Sequence, residues 1–195
     1  MNTIAEILCS DFQSKGSRFL GFLIPRKLFD TTLKELKDSH PKAVHFVYAY
    51  RFVQGNQIDE RFSDDNEPRG SAGMPVLNVL RGEDLVDVAM VVVRYFGGVL
   101  LGVGGLVRAY SKSVLLCVEL GKKNGTIFPF EFCKSIVLEC PYGLLGRVEY
   151  LAKQLAITLE KEDFLEKTIK IKLFGNLKNI DTFLGIYEQD LKFRS

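Results

Sequence analysis

A chain of 195 residues, 47% apolar and 26% charged, can form one large domain or two modest ones with separate cores, and its balance is that of an ordinary globular protein rather than a disordered one. Its 26 Lys/Arg against 24 Asp/Glu leave a net charge of +2, too little for nucleic-acid binding to be read from bulk charge; such a site has to be a local patch. No apolar run reaches the roughly 18–20 residues of a bilayer span, and the first residues lack the basic and apolar regions of a signal peptide, so no membrane partner and a cytoplasmic location are expected.

In chain order, Lys15 to Ile24 reads as a turn and a largely buried strand, with Pro25 suited to a helix start. Leu28, Phe29, Leu33 and Leu36 recur at helical spacing as far as Asp38, and His40-Pro41 ends that helix. His45 to Val53, rich in aromatic and β-branched residues, predicts a strand that turns at Gly55-Asn56 and pairs back through Gln57 to Phe62. A polar, turn-rich stretch from Ser63 to Gly73 precedes a short helix over Pro75 to Leu80. The most apolar run in the protein, within Val86 to Val93, predicts a central strand buried on both faces. A glycine loop follows, then a helix from Leu106 to Leu120, and Lys122 to Thr126 reads as a linker. Beyond it a strand (132–139), a helix (144–156), two strands (157–161 and 167–174), a helix around Ile180 to Tyr187 and a last short strand at Leu191-Lys192-Phe193 give the order βαββαβ of a ferredoxin-like unit.

Two stretches carry chemistry. Five glycines, Gly97, Gly98, Gly102, Gly104 and Gly105, lie between the central strand and a helix, the arrangement that leaves backbone amides and a helix dipole facing an anion. Arg94 and Tyr95 enter that loop and Arg108 leaves it. Neither the dinucleotide fingerprint nor a P-loop is present, since Val107 stands where a third glycine belongs and the loop has no lysine. The glycines therefore serve either close helix-on-sheet packing or a phosphate, carboxylate or partner site. The second stretch holds Asp64, Asp65 and Glu67, which could gather a divalent cation or form an acid–base pair, or simply build a turn with Asn66 and Pro68. His45 is a candidate base or a satisfied strand histidine. Tyr48, Tyr50, Tyr95, Phe96 and Tyr110 lie near arginines and could stack single-stranded bases, although strand aromatics are usually core. Four cysteines without Cys-x-x-Cys spacing and two histidines predict neither a structural metal nor a cofactor.

Asp64-Asp65-x-Glu67-Pro68-x-Gly70-x-Ala72-Gly73-x-Pro75, followed by Arg94-Tyr95-Phe96-Gly97-Gly98-x-x-Leu101-Gly102-x-Gly104-Gly105-Leu106-x-Arg108-Ala109-Tyr110, resembles the signature of the IMPACT/YigZ family. Lys15 to Phe19 and His45-x-x-Tyr48-Ala49-Tyr50-Arg51 extend the resemblance over most of residues 15–121. The sequence departs from the family pattern at Val47, Asn66, Arg69 and Ser71, of which Asn66 keeps a positive φ accessible. The resemblance implies an α+β protein of two domains. The first, residues 1–123, would be the IMPACT N-terminal-like domain, similar to the fourth domain of elongation factor G; the second, residues 124–195, would be ferredoxin-like. It also implies a role in the control of translation. The expectation is a non-enzymatic regulator that binds RNA, the ribosome or a translation-associated protein. Asp64, Asp65, Glu67, Arg94, Tyr95, the five loop glycines and Arg108 would form the binding face. The alternative is a metal-dependent enzyme acting on a phosphorylated or peptide substrate through Asp64, Asp65 and Glu67.

Overall fold

The computed structural model describes residues 1–55 and 57–192, which divide into two units, Met1–Phe130 and a second that begins at Glu131. In the first unit the elements run β1 (Asn2–Ile4), β2 (Leu8–Ser14), β3 (Ser17–Pro25), a single 3-10 turn, α1 (Phe29–Ser39), β4 (His45–Gln54), β5 (Gln57–Ser63), α2 (Gly73–Gly82), β6 (Val88–Tyr95), α3 (Val103–Asn124) and β7 (Ile127–Pro129). Five strands form one antiparallel sheet in the order β2-β3-β6-β4-β5, and β1 pairs with β7 in a separate two-stranded ribbon.

Strand β6 sits at the centre, and its alternation divides the unit into layers. Val88, Met90 and Val92 pack with α2 and α3 in one core, while Ala89, Val91 and Val93 face α1 in another. Continued by two residues, the same alternation sends Arg94 toward the α2–α3 layer and Tyr95 toward α1. The expected hairpin between β4 and β5 forms, with Gly55 at φ +60°, while Asn56 lies outside the described residues.

The stretch read as a linker is not one. Lys122, Lys123 and Asn124 complete the last turn of α3, Gly125 caps it in the left-handed region at φ +67°, and Ile127–Pro129 returns as β7. Two lysines at a helix C-terminus complement the dipole there, so a polar last turn mimics a linker in sequence. Strand β2 had no reading at all: its inward positions include Ser10, whose hydroxyl donates to the Ser113 carbonyl at 3.0 Å, so the apolar alternation is broken.

In the second unit β8 (Cys133–Pro141), α4 (Tyr142–Gln154), β9 (Thr158–Phe164), β10 (Thr168–Asn176) and α5 (Leu177–Lys192) form an antiparallel sheet of order β8-β10-β9 with its own core, including Ile169, Ile171, Leu173, Ile180 and Phe183. The order βαββα with the third strand in the middle is that of a ferredoxin-like unit up to its second helix. The last expected strand is absent at Leu191 and Lys192, which continue α5, and Phe193 lies outside the described residues. Leu191 stands four residues past Tyr187, so it extends the helical spacing begun at Ile180. Cys117 and Cys140 are buried, whereas Cys9 and Cys133 are exposed. No helix among the described residues is long and apolar enough to cross a membrane.

Candidate functional site

The acidic loop between β5 and α2 is held by its own carboxylates. Asp64 accepts the amides of Gly73 (2.8 Å) and Ala72 (3.1 Å) on one oxygen and of Gly70 (2.8 Å) on the other. Helix α2 has alanine at its N-cap, with no capping side chain of its own, so Asp64 supplies the anion that its first amides and dipole favour. Asp65, at φ +43°, accepts the Phe46 amide on its carboxylate (2.6 Å), and its carbonyl accepts the His45 Nδ1–H (2.7 Å). That bond fixes the proton on Nδ1 and turns Nε2 inward. Asn66 takes the positive φ expected of it, +68°.

Glu67 lies at the centre of a buried polar cluster. Its Oε1 receives a short charge-assisted bond from Arg94 Nη1 and the Tyr110 hydroxyl at 2.6 Å, with His45 Nε2 3.7 Å away. Arg94 is 4% exposed, Glu67 8% and Tyr110 0%. Burial, reinforced by the Glu67 carboxylate, pushes the Tyr110 phenol far above its ordinary ionisation range. Arg94 Nη2 donates to Ser17 Oγ (3.4 Å), which also accepts the Gly97 amide (3.2 Å), and the guanidinium lies 5.5 Å from the Phe19 ring centre and 5.7 Å from that of Phe96. Its Nε–H has no acceptor. The cation expected to meet an external anion thus already holds an internal one.

The three loop carboxylates therefore point to three different sets of protein donors. Among the described residues no cluster of three or more His, Cys, Asp or Glu side chains is arranged to hold a metal ion. The convergence that a metal-dependent enzyme would need from Asp64, Asp65 and Glu67 is missing from their geometry.

The glycine loop has the opposite character. Gly97 packs so closely on the β2–β3 turn that a Cβ there would stand 1.9 Å from the Gly16 carbonyl carbon, and Gly102, the N-cap of α3, sits at φ +70°. Between them the chain turns apolar side chains outward: Phe96 is 47% exposed, Val99 53%, Leu100 82% and Val103 60%. These residues border a cavity of about 420 Å³ whose lining includes His45, Glu67 and Arg94 on one side and Phe96, Leu100 and Leu106 on the other. The amides of Val103, Gly104 and Gly105, in the first turn of α3, meet no acceptor among the described residues, and that turn holds no acidic side chain.

The remaining candidates lie apart. Tyr95 is on the opposite face of the sheet, its hydroxyl 2.6 Å from His40 Nδ1. Gly98 is exposed at φ +81°, and a Cβ on Gly105 would press on Leu101. Arg108 projects on the outer side of α3, beside Lys15 and Lys112 around a shallow depression of about 160 Å³, and makes no ion pair among the described residues. Ser17 and Tyr110, which complete the Glu67–Arg94 cluster, had not been picked out as site residues. They lie 77 and 43 residues from their partners, and local spacing carries no signal over such distances.

Residues 15–118 match the Impact N-terminal domain, more than half of the chain. The chain belongs to the IMPACT family. An IMPACT family member of Haemophilus influenzae is 37% identical over 179 residues, covering 87% of this chain and 82% of that protein. IMPACT family member YigZ of Escherichia coli is 45% identical over 147 residues, 72% of this chain and 69% of its own length. A crystal structure described as that of a hypothetical protein superposes with a TM-score of 0.69 at 27% identity, covering 93% of this chain and 88% of the other. The acidic loop, the glycine loop, Ser17, His45 and Tyr110 all fall inside the matched IMPACT segment.

Proposed function

We propose that this IMPACT family member is a cytoplasmic, non-catalytic regulator that binds a translation-associated protein through its glycine loop. The observation that carries the reading is the run of outward apolar side chains, Phe96, Val99, Leu100 and Val103, beside a cavity of about 420 Å³. A connection at a sheet edge is ordinarily polar, and a contiguous apolar projection over a cavity is the usual mark of a surface that a partner covers. The translation assignment rests on the family resemblance, and the choice of protein over RNA rests on the loop chemistry: the exposed groups at the cavity are apolar, and the arginine there is already paired.

A second reading, RNA, is favoured by Lys15, Arg108 and Lys112 on the other side of α3, where Lys112 lies 5.3 Å over the Phe12 ring. The two separate cleanly. Affinity capture is compared with and without nuclease, for the wild type, Leu100→Asp, and Arg108→Ala combined with Lys112→Ala. A retained protein that survives nuclease and is lost only with Leu100→Asp is the expected result. Capture abolished by nuclease and by the cationic pair, yet indifferent to Leu100→Asp, would replace it with the RNA reading and a steep salt dependence.

A further inference from the structure

We infer that the cavity beside the glycine loop is a receptor for the C-terminal end of a peptide chain, taking an apolar last side chain into the cavity and the terminal carboxylate at the start of α3. The inference rests on the binding face proposed above and names the part of the partner that enters it.

Two independent features point to an anion. Helix α3 is 22 residues long, begins at Gly102 without a capping side chain or an acidic residue in its first turn, and leaves three amides without an acceptor. Such a terminus carries the equivalent of about half a positive charge directed at whatever faces it. Gly102 and Val103 lie in the cavity lining, so this terminus borders the cavity. The second feature is Arg94, which lines the same cavity, is 4% exposed, and keeps an Nε–H with no acceptor. A buried donor left unpaired costs free energy until something accepts from it. The carboxylate of Glu67 does not oppose an incoming anion, because it is neutralised by Arg94 and bonded by Tyr110.

Apolar walls narrow the ligand to one with an aliphatic or aromatic body. Val44, Phe96, Leu101 and Leu106 contribute to them, and the volume of about 420 Å³ holds a large side chain with part of the preceding residue. A chain end offers that pair of groups at fixed separation, and capture of a terminal carboxylate by successive backbone amides is an established mode of peptide recognition. An inorganic phosphate would leave the walls uncovered, and an internal loop of a partner would leave the amides unpaired.

The test uses N-acetyl-alanyl-leucine with a free carboxylate, its C-terminal amide, and dodecanoate, each titrated into the full chain and followed by amide NMR shifts. The free acid is expected to move the Val103, Gly104 and Gly105 signals and to bind at least tenfold more tightly than the amide. Val103→Pro removes one amide at the helix position that best tolerates proline. It is expected to weaken the acid several-fold relative to Val103→Ala, which keeps the N–H, and to leave the amide form unaffected. Equal binding of acid and amide at the cavity would overturn the carboxylate seat while leaving the apolar binding face intact. No shift at the loop or cavity with either peptide at about 10 mM would overturn the inference and count against the face as well. Binding of dodecanoate alone would replace the peptide end with a free apolar carboxylate.

Discussion

Two loops flank the same cavity and each delivers the chain into a helix that lacks a capping side chain of its own, yet they solve that problem differently. The acidic loop reaches back with Asp64, Asp65 and Glu67, and each carboxylate finds protein donors. The glycine loop has no side chain to offer, leaves the first amides of α3 open and turns its apolar residues to solvent. The contrast teaches that the stretch with the most charge in the sequence is the one least available to a partner. Charges that are buried and paired hold the fold, and the segment that asks for a partner is the one with unmet amides and uncovered apolar surface.

The largest effect expected from breaking this contrast is at Glu67. Glu67→Ala leaves the Arg94 guanidinium buried beside two aromatic rings with no counter-ion, and losing one partner of such a pair costs about 3–5 kcal/mol. The urea transition of the first unit, followed by β6 amide signals, should move down accordingly. Asp64→Ala comes next: three amides lose a charged acceptor and α2 its cap, for about 2–3 kcal/mol in the same transition.

Tyr110→Phe should cost about 2 kcal/mol near neutrality, the scale of a buried bond to a charged group, and should also change the response to alkali. The folded chain holds the Tyr110 proton while the unfolded chain releases it above about pH 10, so the unfolded state binds fewer protons and stability falls as pH rises. The variant should lose stability less steeply there. The raised phenols of Tyr50 and Tyr187 remain and preserve part of the slope. The smallest effect on stability is the most informative for function. Leu100→Asp, at a side chain 82% exposed, should leave the transition within about 0.5 kcal/mol of wild type and still abolish partner capture.

Much of the architecture was legible because it follows local periodicity. The two-sided apolar run of β6, the aromatic alternation of β4 and the helical stripes of α1, α4 and α5 each name their own element. What escaped were places where a polar residue serves a tertiary contact, such as Ser10 inside β2, or where a helix ends on exposed lysines, as α3 does. The site divides along the same line. The glycine loop and the turn at Asn66 could be seen from backbone requirements alone, whereas the pairing of Arg94 with Glu67, Ser17 and Tyr110 depends on which face of β6 looks at α3 and on contacts far apart in the chain. Reading Arg94 as an open cation followed from its place at the loop entrance; the alternation of β6 sends it inward instead.

Amide hydrogen exchange on the free protein tests the contrast most directly, because it reads both loops in one experiment. The account predicts slow exchange at Gly70, Ala72 and Gly73, whose amides Asp64 holds, and fast exchange at Val103, Gly104 and Gly105, slowing only when the loop is occupied. Protection of the α3 amides in the free protein, with rapid exchange at the three Asp64-bonded positions, would contradict it.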